Sequence, residues 1–81
     1  VPLRLLLSQE MYDRLAENPL TEDQQLLDEN GCRTMVGSTH LSQGLELWLL
    51  SQGDNLEVVE PSILREKMAA TAQKMAALYL K

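Results

Sequence analysis

Apolar side chains at the start of the chain recur first at every second position and then at helical spacing. Leu3, Leu5 and Leu7 alternate with other residues, which is the period of a strand with one buried face. Met11 and Leu15 lie on one side of the next segment if that segment is helical. The pattern therefore predicts a strand followed by a short helix.

A hairpin is predicted in the middle of the chain. Asn30 and Gly31 separate two extended segments, Gln24–Glu29 and Cys32–Thr39. Asn and Gly tolerate the positive φ angles that a type I′ turn requires at both of its central positions. We expect the two segments to pair as antiparallel strands.

The second half of the chain predicts helix, strand and helix. The residues at helical spacing after the hairpin are Leu41, Leu45, Trp48 and Leu49. Leu56–Val59 is typical of a short strand. A last helix opens at Glu60-Pro61-Ser62, with the proline in its first turn, and its apolar stripe comprises Leu64, Met68, Thr71, Ala72, Met75, Leu78 and Tyr79.

Polar residues and glycine mark the ends of the first helices. Ser8 offers a side-chain oxygen that can cap the first helix, and Asn18-Pro19 ends that helix. Ser42 or Thr39 can cap the second helix. Gly53 stands where a residue with positive φ would close it.

The resulting element order is β-α-β-β-α-β-α, whose first part is the ferredoxin-like split β-α-β pattern. We expect an α+β fold with a four-stranded antiparallel sheet, strand order 4-1-3-2, and both inner helices on one face. The additional C-terminal helix has three possible positions: over the sheet, along one of its edges, or against another molecule.

Composition and charge indicate one acidic domain spanning residues 1–81. Seven Lys and Arg stand against 12 Asp and Glu, a formal net charge of -5, so the chain lacks the basic surface of an autonomous DNA- or RNA-binding domain.

No apolar run approaches the ~20 residues that cross a bilayer, and no secretory signal is visible. With a single cysteine, we expect a reducing, cytoplasmic setting and no membrane contact.

Side chains with catalytic, metal-binding or base-stacking chemistry are few. Cys32 and His40 could form a dyad, but the simpler interpretation is a small thiol and a loop imidazole. One His and one Cys fall short of a usual zinc site. The chain has no Phe, and its rings fall on predicted helices rather than on strands, which argues against an RNA-recognition sheet. We expect no catalytic residues, no metal and no cofactor.

The open face of the sheet is the first candidate for recognition. The first and third strands are neighbours in the expected topology, so this face would carry Arg4, Leu6, Arg33 and Met35. Such a surface, partly apolar and partly cationic, would suit docking of a partner domain or help to enclose an anionic effector. The alternative is that the C-terminal helix covers it.

The C-terminal helix is the second candidate. Its stripe includes Met68, Ala72, Met75 and Tyr79, which can be ordinary core or an adaptable contact between subunits. Arg65 lies near the start of this helix, where a cation is unfavourable relative to the helix dipole. We expect it either to be solvated or to pair with a carboxylate such as Glu60 or one in a partner domain.

Residues 48–65 carry a motif more specific than general patterning. The segment reads WLLSQGDNLEVVEPSILR. It resembles the C-terminal extension, or WCX domain, of WYL-domain transcriptional regulators, whose form is W-L-L-x-x-G-x-x-V-x-V-x-x-P-x-x-L-R before a long helix ending near a tyrosine. The matching positions are Trp48, Leu49, Leu50, Gly53, Val58, Pro61, Leu64, Arg65 and Tyr79, and Leu56 stands where the family often has Val.

The resemblance implies that the chain is a C-terminal fragment of a bacterial, cytoplasmic regulator. The DNA-binding and WYL domains would precede it, so DNA would be bound only through the missing N-terminal domain. The WYL domain would sense an effector, for which nucleic-acid fragments or nucleotides are candidates. We expect a non-enzymatic module that mediates dimerisation, contacts the WYL domain, and couples effector sensing to DNA binding. The alternative is an autonomous ferredoxin-like domain that senses a small ligand.

Overall fold

The chain folds into the predicted order of elements. The computed structural model describes residues 1–81. The strands are β1 (Pro2–Leu7), β2 (Gln25–Glu29), β3 (Cys32–Ser38) and β4 (Leu56–Glu60), and the helices are α1 (Gln9–Glu17), α2 (Gln43–Ser51) and α3 (Ser62–Leu80). A short 3₁₀ turn, Gly53–Asn55, joins α2 to β4. This is the α+β fold with a C-terminal helix that the sequence predicts.

The strands form one antiparallel sheet. Its order is β2-β3-β1-β4, which is the predicted order 4-1-3-2 read from the opposite edge. β1 lies in the interior and pairs with β3 on one side and with β4 on the other. This strand contains Leu5-Leu6-Leu7, and apolar residues on both faces suit the central position.

The turn between β2 and β3 has the predicted conformation. Asn30 has a φ of 54° and Gly31 a φ of 81°, so both lie in the left-handed region that a type I′ turn uses. The hairpin register pairs Glu29 with Cys32, next to the turn. A turn of fixed length sets which residues of β3 share each face of the sheet.

The core lies between one face of the sheet and the helices. Because α1 and α2 both contribute to a single cluster, they share one side of the sheet, as expected. Fully burying a leucine contributes about 1.5–3 kcal/mol, so this cluster is the main stabilising feature of the fold. The buried apolar residues are Leu3, Leu5, Met11, Leu15, Met35, Leu49, Leu56, Val58 and Leu64.

The predicted ends of the first two helices are confirmed. Ser8 Oγ accepts a hydrogen bond from the N–H of Met11 at 3.1 Å. Ser42 Oγ accepts one from the N–H of Leu45 at 3.1 Å, so Ser42 and not Thr39 caps α2. Gly53 follows α2 with a φ of 63°.

The last helix begins one residue later than the sequence predicts. Pro61 precedes α3 as its N-cap and does not lie in the first turn. Its peptide bond with Glu60 is cis. The carbonyl of Pro61 accepts hydrogen bonds from Leu64 and Arg65 at 3.1 and 3.0 Å, so the proline still stands where its missing N–H leaves no gap in the helix.

Helix α3 lies beside the β4 edge of the sheet and contacts α2. Leu64 is its one buried residue, and Met68 and Thr71 are half-buried. Lys67 Nζ reaches Glu46 Oε1 of α2 at 3.3 Å. Every residue after Thr71 is exposed, so the C-terminal half of α3 has no partner within the chain.

Candidate interaction surfaces

One face of the sheet is left uncovered by the helices. On β1, Arg4 pairs with Val36 and Leu6 pairs with Thr34. These residues alternate with the buried Leu3 and Leu5 and point away from the core. We call this surface the open face; it comprises Arg4, Leu6, Gln25, Leu27, Thr34, Val36, Glu57 and Glu60. Helix α3 does not cover it, because α3 lies along the β4 edge.

Two of the residues expected on the open face lie on the opposite side of the sheet. Met35 pairs with Leu5, and Arg33 pairs with Leu7. Met35 is in the core with an exposure of 0%. Side chains alternate along a strand, so a register that differs by one residue moves all of them to the other face. The placement of Arg33 and Met35 on the open face was therefore wrong, whereas Arg4 and Leu6 lie where the sequence predicts.

Arg4 is the cation of the open face. Its side chain is exposed, and the ion pairs of the structure join other residues. Leu6 and Val36 beside it are half-buried, and Thr34 has an exposure of only 8%. The open face thus combines a partly apolar centre with a guanidinium group that forms no salt bridge, although Glu60 pairs with Arg4 across the β1–β4 ladder.

The second surface is the free face of α3, which we define as Met68, Ala72, Met75 and Tyr79. Spacings of three and four residues bring these side chains to one side of the helix. Met75 has an exposure of 47% and Tyr79 one of 84%. Only Met68 packs against the core, so most of this stripe is surface and not core.

A groove of about 470 Å³ runs between α3 and the rest of the domain. Its α3 wall contains two alanines, Ala69 and Ala72, whose side chains end at Cβ. Its volume lies within the range of about 300–1,000 Å³ found for ligand sites, but most of its walls are apolar. The lining residues are Leu50, Gly53, Asp54, Leu56, Glu57, Val58, Arg65, Met68, Ala69, Ala72 and Met75.

Arg65 ties the start of α3 to the edge strand β4. Its Nη1 atom donates to Glu57 Oε2 at 2.7 Å and to the carbonyl of Val58 at 2.8 Å. Of the two expectations for Arg65 the paired one is observed, but the carboxylate is that of Glu57 and not that of Glu60. Both side chains are about half exposed, at 51% and 54%, so the ion pair itself contributes little, in the range of about 0–1 kcal/mol.

A polar contact that the sequence did not predict joins the α1–β2 loop to the end of β3. Asp23 Oδ1 accepts a hydrogen bond from the N–H of Ser38 at 3.0 Å. This bond lowers the pKa of the Asp23 carboxyl, and the nearby hydroxyl groups of Ser38 and Thr21 add to the effect. A Cβ at Gly37 would lie 3.2 Å from Asp23 Oδ1. A glycine inside a strand is the sequence signal of such a close approach.

The residues with catalytic potential are not brought together. Cys32 begins β3 and His40 follows its other end, and a strand of 7 residues spans about 20 Å. The structure therefore does not assemble a Cys-His dyad. No group of three or more His, Cys, Asp or Glu side chains is placed to hold a metal ion. None of the helices combines the length and the apolar character needed to span a membrane.

Comparison with known proteins identifies the family. The protein family described as WCX domain matches residues 1–76, which cover the whole sheet, α1, α2 and most of α3. A search of curated proteins gives no match. WCX is a regulatory domain family, and its name places it in the context of WYL-type regulators. The chain thus belongs to the WCX domain family, the C-terminal extension of WYL-domain transcriptional regulators.

Proposed function

We propose that this domain is the assembly element of a WYL-type regulator. Through the free face of α3 it holds two regulator chains together. A dimer presents two DNA-binding domains at a defined separation, which is how dimeric regulators recognise paired half-sites. A change in how the two copies pack would then couple effector sensing to DNA binding.

The main support is the unpartnered half of α3. The helix has 19 residues, a length of about 28 Å, yet its buried and half-buried residues all lie at or before Thr71. Beyond that point the exposed large apolar residues are Met75, Leu78, Tyr79 and Leu80. Adjoining apolar side chains on a surface are typical of a protein–protein contact.

The solution mass across a concentration series tests this proposal. We expect a dimer that persists at low micromolar concentration. Met75→Glu places a charge on the free face and should give a monomer, whereas the matched control Ala70→Glu lies on the opposite side of α3 and should leave the dimer intact. Circular dichroism verifies that both variants are folded. A wild-type chain that is monomeric throughout the series contradicts the proposal.

A second role, docking of the open face against the WYL domain, is favoured by Arg4. An exposed guanidinium that forms no salt bridge within the domain, beside a partly apolar surface, suits a neighbouring domain or an anionic effector held between domains. A nucleic-acid fragment or a nucleotide is the expected class of effector. Arg33 has no part in this docking role because it lies on the other face of the sheet.

Charge reversal in the full-length regulator tests the docking role. Arg4→Glu should weaken the response of operator binding to the effector without changing the mass of the dimer. Arg14→Glu makes the same change of charge on the exposed surface of α1 and serves as the control. An unchanged effector response in folded Arg4→Glu protein contradicts docking through the open face.

A further inference from the structure

The groove between α3 and β4 has three ionisable side chains among mostly apolar walls. They are Asp54, Glu57 and Arg65, and most of the other lining residues are leucine, valine, methionine or alanine. A concave, largely apolar site with a few polar groups is the usual form of a binding site for a small molecule. The three ionisable groups therefore decide which class of molecule the groove suits.

Two of the three charges in the groove already neutralise each other. Arg65 Nη1 donates to Glu57 Oε2 at 2.7 Å and to the carbonyl of Val58 at 2.8 Å. Asp54 has no such partner, because the ion pairs of the structure join other residues. Asp54 is also an exposed residue of the groove wall. The groove thus has one carboxylate in excess of its cations.

The C-terminal end of α2 adds to the negative potential beside Asp54. Leu50 in the last turn of α2 lines the groove, and Asp54 lies in the 3₁₀ turn directly after this helix. A helix C-terminus has a partial negative charge that favours cations, and the last turn of α2 contains no basic residue. The two lysines of α3, Lys67 and Lys74, do not line the groove. This part of the groove therefore favours a positive charge.

We propose that the groove binds a small amphipathic amine, with its ammonium group beside Asp54 and its hydrocarbon part between α3 and β4. Charge complementarity selects this class. An anion would meet the carboxylate of Asp54, while the guanidinium of Arg65 is already bonded to Glu57. A neutral molecule would gain only from the apolar walls. The site goes beyond the proposed assembly role and does not depend on it.

An NMR titration of this chain with three probes tests the class of ligand. Hexylamine, hexanol and hexanoate have the same hydrocarbon tail and differ in the charge of the head group at pH 7. We expect saturable shifts of the amide signals of the groove residues. Hexylamine should bind about 2–5-fold more tightly than hexanol, the effect of one exposed ion pair, and hexanoate should bind most weakly.

Two pairs of variants locate the site. Asp54→Asn should reduce the affinity for hexylamine to that for hexanol, whereas Asp13→Asn on the exposed surface of α1 should keep the preference. Ala69→Leu fills part of the groove and should weaken the binding of all three probes. Ala70→Leu makes the same change on the opposite side of α3 and should leave their binding unchanged. Circular dichroism verifies that the variants are folded.

The outcomes separate this inference from the proposed assembly role. Equal affinities for the three probes, or tighter binding of hexanoate, overturn the assignment of an amine. Absence of saturable shifts in the groove residues, or unchanged binding in Ala69→Leu, overturns the site itself. The solution mass is an independent measurement: a monomer that prefers hexylamine keeps the site and loses the assembly role, and a dimer that binds no amine does the reverse.

Discussion

Asp23 accepts a hydrogen bond from the backbone N–H of Ser38 at 3.0 Å, and this contact fastens the α1–β2 loop to the last residue of β3. Gly37, one residue earlier, has no side chain, so the loop lies directly against the strand. The hydrogen bond favours the ionised carboxylate and lowers the pKa of Asp23 below its usual value of 3.8.

The lowered pKa predicts a loss of stability in acid. Asp23 of the unfolded chain titrates near 3.8 and that of the folded chain titrates lower, so the unfolded state binds more protons between the two values. The contribution is complete above pH about 5 and is lost as the pH falls through the folded pKa. We expect Asp23→Asn to flatten this part of the stability curve, measured by urea unfolding at a series of pH values. Glu22→Gln, in the same loop, should keep it. A wild-type slope in Asp23→Asn contradicts the prediction.

Gly37→Ala should destabilise the fold through the same contact. The added Cβ would clash with Thr21 Oγ1 and come within 3.2 Å of Asp23 Oδ1. We expect a cost of about 1–3 kcal/mol, as for other overpacked positions. In a Thr21→Ala background the same substitution should cost less, because the clashing hydroxyl is gone. A double-mutant cycle by urea unfolding measures the difference. Equal costs in both backgrounds would show that Thr21 is not the obstacle.

Two leucines of α2, one buried and one exposed, allow the contribution of the core to be measured against a control in the same helix. Leu49 has an exposure of 0% and Leu47 one of 59%, so the same substitution tests burial within one helix. We expect Leu49→Ala to lower the free energy of unfolding by about 2–5 kcal/mol. Leu47→Ala should stay within about 0.5 kcal/mol of the wild type. Similar losses from both variants would contradict the assignment of Leu49 to the core.

The sequence was sufficient for the fold because its local signals agree with one another. Asn30-Gly31 set the hairpin, and Ser8 and Ser42 set the starts of the first two helices. The β-α-β-β-α-β order then leaves one natural arrangement of the sheet. The residues that carry the WCX resemblance have structural roles in this fold: Gly53 has a positive φ at the end of α2, and Leu64 is buried in the core.

The surfaces were harder to predict because they depend on register and on long-range contacts. The alternation within β3 is weak, so its polarity did not reveal that Met35 belongs to the core face. The partner of Arg65 depends on how α3 packs against β4, which local sequence patterns do not determine. In the structure this packing brings Arg65 to Glu57 and not to Glu60. The contact of Asp23 lies just beyond the paired part of the hairpin, where a loop side chain bonds the end of β3, and Gly37 was its only local sign.

The two serine caps provide the last prediction, because only one of them also holds a distant element. Ser8 Oγ accepts from Met11 and donates to Asn55 Oδ1 at 3.0 Å, and the N–H of Ser8 donates to the carbonyl of Asn55 at 2.8 Å. Ser42 is exposed and uses its Oγ only to cap α2. Loss of a serine cap costs about 0.5–2 kcal/mol.

We expect Ser8→Ala to fall near the upper end of that range and Ser42→Ala near the lower end, because Ser8→Ala also leaves the half-buried side chain of Asn55 with one hydrogen bond fewer. Urea unfolding of the two single variants measures this difference. A double-mutant cycle with Asn55→Ala should show a coupling energy for Ser8 and none for Ser42, because Asn55 contacts only the first cap. Equal losses without coupling would mean that Ser8 acts as a cap alone, and that the β1–α1 junction is held to the turn before β4 by the backbone hydrogen bond between Ser8 and Asn55.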